Sequence, residues 1–174
     1  ADMEKATSRI KRAVENGEKI TVYGDYDVDG ITSVVLMYRC LTSLGANVDY
    51  YIPDRTEEGY GLNSSALRSI YDSGTSLIVT VDTGTTAVEE IAEAENYGLD
   101  VIVTDHHECK PTLPVCVAVV NPKRPDSVYP YKELAGVGVV FKLVCALIGD
   151  STKAFSLYGD LVSIGTIADI MPLV

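Results

Sequence analysis

The chain has 174 residues, of which 47% are hydrophobic, with a mean hydropathy of +0.14 and a formal net charge of −11. This is enough apolar material for one buried core and argues against disorder, while the acidic balance disfavours a nucleic-acid surface held chiefly by counterion release, which needs a basic stripe. No apolar run reaches the ~18 residues of a membrane span and residues 1 to 19 are too polar for a signal peptide, so a soluble, cytoplasmic protein is expected.

From the N-terminus, Glu4 to Glu15 reads as a short amphipathic helix with Ile10, Ala13 and Val14 on its apolar side, stopped by Asn16-Gly17. Ile20 to Tyr23 is the first strand. Ile31 to Leu44 has helical spacing, with Val34, Val35, Met37, Tyr38 and Leu41 facing inward and Gly45 suited to a left-handed cap. Val48 to Ile52 is the second strand, and a loop runs from Pro53 to Leu62. The alternation continues with a helix at Ser64 to Asp72, a strand at Leu77 to Val81, a helix at Ala87 to Tyr97 and strands at Val101 to Thr104 and Val117 to Val120. Beyond a proline-rich loop at 122–130, Val137 to Ile148 and Phe155 to Ile167 read as two mostly apolar helices.

Apolar strands alternating with helices predict an α/β fold: a doubly wound five-stranded parallel sheet flanked by helices, with a helical C-terminal part. In the strand order 2-1-3-4-5, the first, third and fourth strands lie side by side and their carboxyl ends face one crevice. The acids sit at those ends. Asp25, Asp27 and Asp29 follow the first strand, Asp82 the third, and Asp105-His106-His107 the fourth. Several carboxylates so placed repel one another, and a divalent cation removes that cost. Two such ions would leave the net charge at roughly −7, so any basic substrate groove belongs elsewhere.

Each motif has a blander reading. Asp-x-Asp-x-Asp-Gly also opens an EF-hand loop, but counting Asp25 as position one puts Leu36 where the bidentate Glu belongs, and a strand precedes the segment. Asp82 could merely cap the helix near Ala87, and Asp105 could cap a turn and orient a neighbouring imidazole. His106 and His107 are the only histidines; adjacent side chains at a strand end diverge, so one suits a metal and the other either meets a substrate phosphate or donates a proton to the leaving oxygen. Asp169 ends an apolar helix, where the macrodipole disfavours an anion. Arg55 can hold a phosphate through a bidentate pair, with Tyr60 a weaker candidate in the same loop, whose glycines and Asn63 equally suit a turn and a helix cap. Gly136-Val137-Gly138 lacks the third glycine of a dinucleotide fingerprint and retains only the potential of a backbone anion nest. Cys40, Cys109, Cys116 and Cys145 form no C-x-x-C pair and read as core or loop thiols.

Taken in order, Tyr23 to Gly30, Pro53-Asp54-Arg55 with Glu57 to Asn63, Val81-Asp82, Thr104 to Glu108, Val120-Asn121-Pro122, Ala135 to Gly138 and Gly165 to Asp169 with Pro172-Leu173 resemble the catalytic N-terminal domain of the DHH phosphoesterase family, in its RecJ-type single-strand DNA exonuclease branch. The resemblance implies a two-ion site, usually manganese with magnesium as the substitute, ligated by Asp27, Asp29, Asp82, His106 and Asp169. It makes Asp25 a ligand or an outer carboxylate, His107 a contact to the scissile phosphate and Arg55 a holder of the strand. Thr83 and Thr85 stand where Cys and Ile are expected in many relatives, a departure expected to affect packing rather than chemistry. The resemblance implies a substrate-binding second domain that these residues do not include, and a chain running from Ala1-Asp2 to Val174 is expected to be a catalytic domain excised from a longer protein.

The implied activity is 5′ to 3′ hydrolysis of single-stranded DNA to mononucleotides, in repair and recombination. Single-strand-binding or repair proteins are the implied partners, through domains outside the chain, and no membrane is involved. The alternatives are a phosphodiesterase for short oligoribonucleotides or cyclic dinucleotides, a pyrophosphatase, and a catalytically silent scaffold.

Overall fold

The computed structural model describes residues 1–56, 59 and 61–173. Eleven elements alternate along the described chain: α1 (Met3–Glu15), β1 (Lys19–Tyr23), α2 (Val28–Ser43), β2 (Asn47–Tyr51), α3 (Ser64–Asp72), β3 (Leu77–Val81), α4 (Val88–Asn96), β4 (Asp100–Thr104), β5 (Ala118–Val120), α5 (Gly136–Ile148) and α6 (Ser151–Ala168). The five strands form one sheet in the order β2-β1-β3-β4-β5, and every pairing is parallel, as expected.

Period-two alternation sorts the strand side chains into two cores. Ile20, Val22, Leu77, Val79, Val81, Ile102 and Val120 pack with α1, α2, α5 and α6 on one face. Ile78, Val101, Val103 and Val119 pack with α3 and α4 on the other. Because β1, β3 and β4 are central, their residues are almost continuously buried, whereas the edge strand β2 is largely open. Among the described residues no helix is long and apolar enough to cross a membrane, and the four cysteines are free.

Two helices depart from the sequence expectation. α2 begins a full turn earlier than Ile31, because Asp27 caps it through Gly30 N at 2.8 Å and Asp29 sits in its first turn, where the helix dipole favours an anion. Its inward face is accordingly Val34, Leu36, Met37, Cys40 and Leu41 with Thr32 and Ser33, while Val35 is exposed and Tyr38 only half-buried. α6 likewise starts at Ser151, capped by Asp150 through Lys153 N, and leaves Phe155, Leu157, Ile164 and Ile167 exposed.

Candidate metal centre

The first carboxylates are fixed by the β1–α2 connection. Asp25 is buried, and one of its oxygens accepts the Tyr26 N–H at 2.7 Å. Burial lifts its pKa; the Tyr26 bond opposes that shift and the Asp27 charge adds to it. Asp27 is exposed at the helix cap. Asp29 is buried and serves a second element: its oxygens accept from Gly136 N at 2.7 Å and Val137 N at 2.9 Å. The N-cap residue of α5 is Ala135, which has no side chain to offer, so Asp29 caps that helix across 107 residues of sequence. The Gly136-Val137 nest therefore holds an anion, and the anion is a side chain of the same chain. Burial raises the Asp29 pKa even against these two donors.

Asp82 follows β3 with φ +59°, a left-handed conformation uncommon outside glycine and typical of strained functional positions. It caps nothing: α4 begins at Val88 behind Ala87, without a side-chain cap. Gly136 presses against it so closely that a Cβ there would overlap the Asp82 carboxyl. Burial, with the charges of Asp29, Asp27 and Asp105, pushes the Asp82 pKa up to about 10. His106 Nε2 lies 3.2 Å from Asp82 Oδ1, 3.6 Å from Asp169 Oδ2 and 3.9 Å from Asp29 Oδ2. Asp169 is the C-cap residue just beyond α6, brought in because Gly165 lets that helix approach: a Cβ there would stand 2.5 Å from Thr32 Oγ1 and 2.9 Å from Asp29 Oδ1.

Asp105, at the end of β4, is saturated instead. Its Oδ1 accepts from His106 N at 2.7 Å, His107 N at 3.1 Å and His107 Nδ1 at 2.7 Å, and its Oδ2 from Thr85 N at 2.8 Å. Burial works to raise its pKa, yet the hydrogen bond and charge of His107 with the backbone donors bring it down to about 2. The same bond raises the His107 pKa. His107 Nδ1 is engaged by Asp105, on a ring 45% exposed.

The donor set fits divalent cations. Asp82 Oδ1, Asp169 Oδ2 and His106 Nδ1 are buried without a hydrogen-bond partner, and a single proton on His106 Nε2 could serve only one of the three carboxylates around it. Among the described residues, three groups have ligand atoms within 4.8 Å of one another: Asp82, His106 and His107; Asp29, His106 and Asp169; and Asp25, Asp27 and Asp82. Asp82 and His106 each belong to two of them. Carboxylate oxygens with an imidazole suit manganese or magnesium better than zinc.

The expected residues Asp25, Asp27, Asp29, Asp82, His106, His107 and Asp169 are thus brought together. Arg55 is exposed and stacks over the Tyr26 ring at 5.4 Å from its centroid, and Asn63 caps α3 through Ala66 N. Tyr60, with Glu57 and Glu58, lies outside the described residues. Thr85 is buried, its backbone N–H bonds Asp105, and its hydroxyl, the group that distinguishes it from the expected Ile, accepts from Asn121 Nδ2 at 3.0 Å. Asn121, to which the motifs assigned no role, could have been noticed as one more polar residue directly after an apolar strand.

Residues 19–166 match the family described as "DHH family, N-terminal domain". The single-stranded-DNA-specific exonuclease RecJ of Bacillus subtilis (strain 168) is 56% identical over 171 residues, covering 98% of this chain and 21% of its own length. RecJ of Escherichia coli (strain K12) is 41% identical over 186 residues, covering 98% of this chain and 32% of its own. This chain therefore spans less than a third of these curated relatives. Among solved structures, exonuclease RecJ bound to manganese superposes with a TM-score of 0.89 at 37% identity, over 99% of this chain and 44% of that one. The family match runs from β1 into the last turns of α6 and includes every clustered acid except Asp169, so the chain belongs to the DHH family.

Proposed function

We propose that this chain is the catalytic domain of a metal-dependent phosphodiesterase that degrades single-stranded DNA from the 5′ end to mononucleotides, in repair and recombination in the cytoplasm. The observation that carries the reading is the meeting of Asp82 Oδ1 and Asp169 Oδ2, buried oxygens without hydrogen-bond partners, around His106 Nε2, an arrangement that a cation would satisfy. The RecJ relatives support the substrate class, and the manganese complex of one of them supports the metal. Free cysteines suit a reducing compartment.

In this reading Asp27, Asp29, Asp82, His106 and Asp169 hold two ions, manganese or magnesium, and Asp25 supports them from beside Asp27. Bound ions would supply Lewis-acid chemistry, activating the attacking water and neutralising charge on the phosphoryl oxygens. His107, oriented by Asp105 through Nδ1, presents Nε2 to the phosphate and donates a hydrogen bond as charge builds there. Arg55, supported by the Tyr26 ring, holds a phosphate of the strand through its planar donors. With a net charge of −11, this domain attracts DNA locally at best, so single-strand-binding or repair partners and further domains would supply the remaining grip.

The test is digestion of end-labelled single-stranded DNA with Mn2+, alongside duplex DNA, a dinucleotide and the Asp82→Ala variant. Mononucleotides released from the 5′ end of single strands only, and none by Asp82→Ala, are expected. Cleavage of the dinucleotide alone would replace the reading with a short-oligonucleotide phosphodiesterase. No cleavage despite bound metal would replace it with a scaffold, or with a domain that cuts only together with the family's second domain.

A further inference from the structure

The end of β5 carries a polar residue that the acidic motifs do not account for. Asn121 is 1% exposed, and its whole amide is engaged. Nδ2 donates to the His107 carbonyl at 2.9 Å and to Thr85 Oγ1 at 3.0 Å, and Oδ1 accepts from Lys123 N at 2.8 Å. The partners fix which way the amide points, because a carbonyl can only accept and a backbone N–H can only donate. Thr85, fully buried, closes the circuit through its N–H to Asp105 Oδ2. His107 is therefore held at three places: its carbonyl by Asn121, and its N–H and ring Nδ1 by Asp105.

We infer that Asn121 and Thr85 are positioning residues for His107, which fix the place and direction of its ring. The activity part of this inference rests on the phosphodiesterase reading; the geometric part does not. A reacting group displaced by about 1 Å can lose on the order of 100-fold in rate. Asn121 acts on the backbone of His107, and the Thr85 hydroxyl acts through Asn121 while its backbone N–H holds Asp105, so neither needs to touch a substrate. Both may be varied without removing a group that reacts.

The experiment compares wild type with Asn121→Ala, Thr85→Val and Thr85→Ser. Three readouts are taken: bound Mn2+, kcat and KM on single-stranded DNA, and the 15N ring resonances of the two histidines in Mg2+ buffer, assigned with His107→Gln. Asn121→Ala is expected to lower kcat about 10- to 100-fold, the range for outer-sphere partners, with KM within about twofold, unchanged Mn2+ content and displaced His107 resonances. Thr85→Val keeps the shape and loses one acceptor, so a smaller loss and a smaller displacement in the same direction are expected, with Thr85→Ser restoring both. Wild-type kcat and unmoved His107 resonances in Asn121→Ala and Thr85→Val would overturn the inference and leave the two residues as core polar groups only. If Asn121→Ala fails to fold, Thr85→Val decides alone by the same criteria. If the wild type cleaves no single-stranded DNA, the phosphodiesterase reading falls, while the His107 resonances, which need no substrate, still decide the positioning.

Discussion

Asp82 and Asp105 end neighbouring strands and are equally buried, at 2% exposure each, yet the protein treats them oppositely. Asp105 accepts four hydrogen bonds, and its pKa falls to about 2. Asp82 has an orphaned oxygen, a left-handed backbone and a pKa pushed up to about 10. Desolvation acts on both; the difference is whether the chain supplies the donors. At β4 it does, and the carboxylate becomes a strut for His107. At β3 it does not, and the carboxylate is left in the state that the proposed metal role requires.

That contrast predicts opposite signs. In the phosphodiesterase reading, Asp82→Asn should lower activity by more than about 100-fold, beyond the range for outer-sphere partners. In EDTA the same variant should be more stable than wild type by about 1–3 kcal/mol, since it removes a buried carboxylate that the protein leaves unpaired. Urea melts with EDTA and with Mn2+ check this, and a variant less stable than wild type in EDTA would break the contrast. Asp105→Asn should do the reverse: about 2–3 kcal/mol of stability lost in either buffer, as charged hydrogen bonds are removed, with Mn2+ content retained and kcat down about 10- to 100-fold. Loss of Mn2+ binding in Asp105→Asn would make it a ligand rather than a strut.

The convergence of the site was legible because it depends on topology. Once the alternation of strands and helices gives the order 2-1-3-4-5, Asp25, Asp82 and Asp105 must end adjacent strands whatever their side chains do. The division of labour among them was not legible, since it depends on donors from elsewhere in the chain. Asp29 looks in sequence like the third member of an acidic turn, but the start of α5, 107 residues on, makes it a helix cap as well. Asn121 and Thr85 look like ordinary polar residues until β5 and the β3–α4 connection place them on either side of the Asp105–His107 pair. The early start of α2 follows from the capping role of Asp27, which the expected metal role concealed.

Asp29 stands between the two cases and sharpens the comparison. It is grouped with His106 and Asp169 as a ligand, like Asp82, and hydrogen-bonded, like Asp105. Asp29→Ala should therefore cost both ways: Mn2+ binding is lost, and stability in EDTA falls by about 1–2 kcal/mol, as for a lost helix cap. A rise in EDTA stability would place Asp29 with Asp82.

The smallest effect is expected far from the cluster, where a carboxylate has full pairing but ready access to water. Asp2 accepts from Arg124 Nη1 at 2.5 Å and Val119 N at 3.3 Å and pairs with Lys5 at 3.1 Å. Partial burial raises its pKa, but these partners outweigh it and lower the value to about 2, from an ordinary 3.8. A carboxylate depressed on folding stabilises the native state above its unfolded pKa, and that contribution fades as pH falls from about 4 through about 2. Solvent screening limits it to about 1 kcal/mol. Asp2→Asn should thus be less stable than wild type by about that amount at pH 7, with the gap narrowing below pH 4 and closing near pH 2. A gap that stays constant with pH would mean that Asp2 contributes through its shape and local backbone rather than its charge. The ordering from Asp82 through Asp29 to Asp105 would then have to be measured against a neutral reference in place of Asp2.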